Sequence, residues 1–289
     1  MLESPYLLSF SSTSPPYPSP VSLFEKFKAI LTPFRNAAIG YVEGLQLAAD
    51  RVVSGITSRE VTNLQLDDLY RKTENDTSFH AISYKSKRPC DEEAWSPELE
   101  EDLRLPVYFN SNCSKVVYCL LPQVRKTLKD DPDFDRAFWS REYVDPELVL
   151  FDVDKNGNQC RRPLPFLAHD FITIKSKDNQ RFVLDVTGDQ LGLKEWFFTR
   201  SDYRGLLLDG QAPEISSEAT KLYEIETEDS RNFALLSAVE QAIEEVKADW
   251  GREYISCQDL HFLPPWKQSE LRQGIAVKVR MSVVAALSG

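Results

Sequence analysis

Apolar positions recur at intervals of three and four over Leu23, Phe24, Phe27, Ile30 and Leu31. Ser22 stands ahead of them as an N-cap, and Pro33 predicts the end of this first helix. A second stripe at Ile39, Tyr41, Val42, Leu45, Ala49 and Val52 predicts another helix. Thr57 and Glu60 have the spacing of a capping box, predicting a third helix through Leu64, Leu66 and Leu69. Residues 73–101 are polar, with Lys85, Lys87 and Arg88 followed by Asp91, Glu92 and Glu93, and they suit a solvated linker. An apolar stretch at Val116–Leu128 follows, then strand-like segments at Leu148–Val153, Phe171–Ile174 and Phe182–Val186. Phe233, Leu236, Val239, Ile243, Val246 and Trp250 predict a late helix closed by Gly251 as a C-cap. At the C-terminal end, Ile275, Val277, Val279, Met281 and Val283 alternate with smaller or polar residues, the pattern of a half-buried strand. Helical and strand patterns are segregated along the chain, which predicts an α+β fold. The expected organisation is a flexible Pro/Ser-rich arm over 1–20, a helical subdomain and linker over 21–100, and an α+β domain over 101–289.

Composition narrows the function. The 289 residues carry 34 basic and 45 acidic side chains, a net charge of −11. A nucleic-acid or anionic-membrane partner calls for the opposite sign and is not expected. No stretch approaches 18 apolar residues, so no membrane span is expected. No G-x-G-x-x-G, Walker loop or G-x-S-x-G occurs among the eleven glycines, which removes the main support for dinucleotide, P-loop and serine-hydrolase chemistry. Cys90, Cys113, Cys119, Cys160 and Cys257 are odd in number and form no C-x-x-C pair, a usage that suits a reducing, cytoplasmic compartment. The N-terminal apolar run Tyr6–Phe10 is too short for a secretion signal. Asp152-Val-Asp154-Lys-Asn156-Gly157 begins like a calcium loop, but position twelve is Pro163, so a tight turn at Asn156-Gly157 is expected instead. Cys257 and His261 lack a second ligand pair for zinc. Neither a metal nor a cofactor is expected.

Three histidines, His80, His169 and His261, make the search for a general base short. His169 opens a run in which Ile172 and Ile174, then Phe182, Leu184 and Val186, alternate on either side of polar Lys175–Asn179. This is a β-hairpin pattern. Folded about Lys177, it places Asp185 directly opposite His169, near enough for the carboxylate to bond Nδ1–H and fix the tautomer. Asp189 and Asp170 compete for that role, Asp170 less well because it points to the other face. In Phe109-Asn-Ser-Asn112-Cys113-Ser-Lys-Val-Val, Asn112 is a good N-cap, and Cys113 falls in the first helical turn ahead of the buried stripe Val116, Val117, Leu120, Leu121 and Val124. A helix N-terminus favours a thiolate and offers free N–H groups to an oxyanion. Cys119 falls on another side of the helix and is expected to pack. Pro122 is expected to kink or end the helix.

A cysteine at a helix start, a histidine on a strand and an aspartate on the next strand resemble the papain-like fold in its transglutaminase-like and arylamine-acetyltransferase-like branch. The resemblance rests on His169-Asp-Phe-Ile-Thr-Ile and Arg181-Phe-Val-Leu-Asp185-Val-Thr, and it covers about residues 107–200. Asn110-Ser111-Asn112 stands where arylamine acetyltransferases carry R-G-G-x. The resemblance implies a nucleophile helix packed on an antiparallel sheet and a Cys113–His169–Asp185 triad, with Asn110 or Asn112 as candidate oxyanion donors. It also implies acyl transfer from an amide- or thioester-containing substrate: hydrolysis, deamidation or transamidation. The alternative is a non-catalytic protein-interaction module on the same fold.

Overall fold

A computed structural model describes residues 22–66, 77–89, 95, 99–160, 168–208, 216–253 and 255–288. The Pro/Ser-rich arm over 1–20, Cys90 and Leu69 lie outside the described residues, as does the side chain of His261. The chain is α+β. Helix α1 (Leu23–Ala48) is followed by strands β1 (Arg51–Ser58) and β2 (Ser78–Ser86), then helices α2 (Arg104–Phe109) and α3 (Cys113–Leu128). Strands β3 (Phe134–Tyr143), β4 (Leu148–Asp152), β5 (Ala168–Ser176), β6 (Arg181–Leu184) and β7 (Phe197–Thr199) come next. Helices α4 (Arg200–Arg204), α5 (Glu218–Glu228), α6 (Asn232–Arg252) and α7 (Pro265–Ser288) complete the order. Among the described residues no helix is long and apolar enough to cross a membrane.

Two sheets form. One runs β1-β2-β4, with β1/β2 antiparallel and β2/β4 parallel; the other runs β3-β5-β6-β7 and is antiparallel throughout. On the second sheet Ile172, Ile174, Phe182 and Leu184 share one face and join the main core with Val116, Val117, Leu120 and Val124 of α3. The opposite face is also covered: Phe171 and Val183 pack with Tyr203 and Leu191 in a smaller cluster. A hairpin buried on both faces is therefore what carries His169 and Asp185.

Several expected elements differ, each for a physical reason. Ser22 does cap α1, its Oγ accepting from the Glu25 N–H. Pro33 does not end the helix, which continues through it to Ala48 as one element. A proline inside a helix costs about 3 kcal/mol; packing along the length of α7 outweighs that. The expected capping box is not used: Thr57 lies in β1 and Glu60 precedes a short 3₁₀ turn. The expected linker contains β2, which pairs with β4. Pro122 is exposed and α3 runs past it to Leu128. Gly251 lies inside α6, whose C-cap is Glu253, and Phe233 is exposed while Leu235 takes the buried position.

The expected C-terminal strand is instead the long helix α7. Its buried residues, Leu271, Ile275, Val279 and Val283, are four apart, and every second member of the alternating series is exposed, as Val277 and Met281 show. Alternation at two contains the helical spacing of four. Two glycines let α1 and α7 touch. A β-carbon on Gly40 would lie 2.2 Å from the Ala276 carbonyl oxygen, and one on Gly44 would lie 2.7 Å from Val283 Cβ. Because backbone faces backbone at Gly40, Gly40→Val is expected to destabilise the fold by about 3 kcal/mol, the upper end for overpacking. Chemical denaturation reads this as a lowered midpoint, whereas an exposed control such as Gly274→Val, which meets nothing within 4 Å, tests propensity alone.

Candidate active site

Three elements bring the candidate residues together. Cys113 is the first residue of α3 and is partly exposed. The first intrahelical bond runs from the Val116 N–H to the Asn112 carbonyl, so the amides of Cys113, Ser114 and Lys115 precede the helical ladder. Asn112 takes the N-cap position without capping. With φ −110° and ψ 2° its side chain turns back, and Nδ2 donates to the carbonyls of Tyr108 (3.0 Å) and Asn110 (3.2 Å). That spends the Asn112 amide and removes it as an oxyanion donor. Asn110 is the C-cap of α2 and is partly buried. Between them Ser111 holds φ +61°, a left-handed conformation that a non-glycine residue rarely adopts.

His169 lies in β5 and is 2% exposed; Asp185 follows β6 and is fully buried. His169 Nε2 and Asp185 Oδ1 are 2.8 Å apart. The hairpin folds about Asp178, not Lys177: Ile172 opposes Leu184 and Ile174 opposes Phe182, each partner two positions later than expected. A displacement of two keeps every side chain on its face. His169 and Asp185 are therefore diagonal neighbours, still within side-chain reach. The nitrogen also differs from expectation, since the aspartate takes Nε2 rather than Nδ1. The Cys113 sulfur is near enough to raise the pKa of the ring.

Asp185 is held by more than the histidine. Tyr203 Oη donates to Oδ2 at 2.9 Å, and the Thr187 N–H donates to Oδ1 at 3.3 Å. The two competing carboxylates are engaged elsewhere. Asp189 pairs with Arg35 at 2.7 Å, and Asp170 accepts from Arg141, Trp139 and Ser114. Burial drives the His169 pKa down, but the Asp185 carboxylate and the Cys113 sulfur outweigh it, and the imidazole titrates well above the ordinary histidine range.

One buried residue at this site escaped the sequence. Gln190, in the 3₁₀ turn Gly188–Leu191, accepts from the Ser111 N–H at 3.0 Å through Oε1 and places Nε2 3.3 Å from His169 Nδ1. Its spacing matches no motif, because it reaches the histidine through a loop. Cys119 behaves as a packing residue: it is buried against Tyr41, and burial pushes its thiol up to about 12. Burial raises the Cys257 thiol as well. Cys160 is exposed. Asp154 caps the turn over Asn156–Asn158, and Gly157 takes φ +79°, so the calcium-like segment is a tight loop closed by its own aspartate. Among the described residues no cluster of three metal-ligating side chains occurs. No family model matches the chain, and no curated protein or solved structure resembles it at a significant level.

Proposed function

We propose that this protein is a cysteine enzyme that transfers an acyl group from an amide or thioester, on a fold akin to the papain-like, transglutaminase-like architecture. The observation that supports it best is a single arrangement: a partly exposed cysteine at a helix start, near enough to a histidine to raise its pKa, with that histidine's Nε2 bonded to a buried aspartate. The packing of α3 across β3 and β5 agrees with this architecture.

The chemistry follows from the atoms present. His169 Nδ1 takes the Cys113 proton, and the thiolate sulfur attacks the substrate carbonyl carbon, forming a C–S bond and placing negative charge on the oxygen. Amides at the start of α3 are positioned to receive that charge. As the C–N or C–S bond of the substrate breaks, Nδ1–H returns the proton to the leaving group, and a thioester remains on Cys113. Water or an amine then attacks the thioester while His169 accepts its proton. The new C–O or C–N bond forms, the C–S bond breaks, and the proton returns to Cys113. Asp185 holds the ring and stabilises its cationic form throughout. Water as acceptor gives hydrolysis or deamidation; an amine gives transamidation. Free thiols at Cys113, Cys119, Cys160 and Cys257 accord with an intracellular setting.

Site-mapped alkylation tests the assignment. Near neutral pH, Cys113 is expected to label faster than Cys119, Cys257 and exposed Cys160, and His169→Ala is expected to move its labelling profile to higher pH. Faster labelling of Cys160, or an unmoved Cys113 profile in a folded His169→Ala variant, overturns the enzyme assignment in favour of an interaction module.

A further inference from the structure

We infer that Gln190 is a positioning residue that donates to His169 Nδ1, opposes protonation there, and so sets the proton balance between His169 and Cys113. The inference rests on the proposed cysteine chemistry and adds a residue to it. Its basis is geometric. The Ser111 N–H donates to Gln190 Oε1 at 3.0 Å, and that bond decides which way the amide faces, since an N–H cannot donate to an NH₂ group. Nε2 must then be the atom 3.3 Å from His169 Nδ1. At the other end of the ring, the Asp185 carboxylate can only accept, so Nε2 carries the hydrogen of that bond. In its neutral form, a ring bonded to a carboxylate at Nε2 and to an amide N–H at Nδ1 is the Nε2–H tautomer.

Protonating Nδ1 would set an N–H against an N–H. Gln190 therefore opposes the imidazolium, while Asp185 and Cys113 favour it. The other charged groups facing this region are already committed. Glu142, opposite His169 on β3, pairs with Arg200 at 2.7 Å, Asp189 pairs with Arg35, Asp170 pairs with Arg141, and the Tyr203 hydroxyl serves Asp185. Gln190 is 5% exposed, so water does not substitute readily for its amide. The same side chain ties the left-handed Ser111 backbone, two residues before the nucleophile, to the histidine. One residue thus links the position of the sulfur to the state of its base.

The test is the pH profile of Cys113 alkylation in Gln190→Met and Gln190→Glu, with site mapping. Loss of one modest hydrogen bond to the neutral ring is expected to move the Gln190→Met profile to lower pH by about half a unit to one unit, a three- to tenfold faster reaction below the midpoint. Gln190→Glu keeps an oxygen for the Ser111 N–H and presents a second one to Nδ1–H, so its shift to lower pH should be larger. In the wild type, at pH above the raised pKa of His169, ¹⁵N spectra of labelled histidine should show Nδ1 without a proton and Nε2 with one. Unmoved profiles, a shift to higher pH in both variants, or a proton on Nδ1 of the neutral wild-type ring overturns the inference. If His169→Ala still shifts Cys113 in that case, only the role of Gln190 fails; if His169→Ala is also silent, the cysteine-enzyme assignment fails with it. Should Gln190→Met not fold, the Glu variant and the ¹⁵N spectrum decide.

Discussion

Asp185→Asn is expected to slow Cys113 alkylation at neutral pH, and turnover of any amide or thioester substrate, by on the order of 10²-fold. The magnitude comes from charge more than from tautomer. Asp185 Oδ1 receives both His169 Nε2–H and the Thr187 N–H, so the asparagine oxygen is best placed there. Its NH₂ group then faces the Tyr203 hydroxyl, which can accept in place of donating. The ring keeps its orientation but loses the carboxylate that raises its pKa. This is why the loss should be smaller than the roughly 10⁴ seen where such a change imposes the wrong tautomer in serine proteases. Stability carries the same sign. A histidine with a raised folded pKa contributes stabilisation that is fully present below the ordinary value near 6.5 and is lost as pH rises through the higher folded value. The wild type should therefore show this decline and Asp185→Asn should show less of it. Asp189→Asn is the control: its partner is Arg35, and the alkylation rate should stay within a few-fold of wild type. If Asp189→Asn is the slow variant and Asp185→Asn is not, the hydrogen bond at Nε2 is not the one that matters.

How much of this was legible in the chain depends on whether a pattern is local. The Ser22 cap, the Cys113 helix start and the β5–β6 hairpin follow from short-range spacing, and they appear where expected. The hairpin was displaced by two because the turn is tighter than its polar stretch implies: the Asn179 N–H bonds the Ser176 carbonyl, and Asn179 takes φ +70°. Since faces alternate with period two, the His169–Asp185 pair survived the displacement. Helix ends were misplaced where tertiary packing overrode local signals. Pro33 should break α1 on propensity, yet α1 packs along α7 for much of its length. Strand β2 was missed because its partner β4 lies more than 60 residues further on, and no local pattern announces a parallel pairing. Charged β3 was missed for a related reason. Arg141 and Glu142 are unremarkable polar residues in the sequence and acquire their meaning only from Asp170 and Arg200 across the sheet.

The neighbouring carboxylate should give the opposite result. Asp170→Ala is expected to cost about 3–5 kcal/mol of stability, the range for removing one partner of a buried charge pair. Asp170 is 1% exposed and lies on the face of β5 shared by Ile172 and Ile174, toward α3. There it accepts from Arg141 Nε at 2.9 Å, Trp139 Nε1 at 2.6 Å and Ser114 Oγ at 2.5 Å. Alanine leaves a largely buried guanidinium, an indole N–H and a hydroxyl without that acceptor. Arg141 retains Glu224 at 3.2 Å, but that carboxylate is about half exposed and replaces little. Ser114 adjoins Cys113, so the start of α3 should loosen along with the sheet. Urea or guanidinium unfolding measures the loss, and a double-mutant cycle with Arg141→Met should recover part of it, because the second change removes the orphaned charge. A loss below about 1 kcal/mol, or no recovery in the cycle, would show that Asp170 is not the ionic anchor of the nucleophile helix. The two aspartates of one hairpin would then divide differently, with Asp185 serving both the ring and the fold.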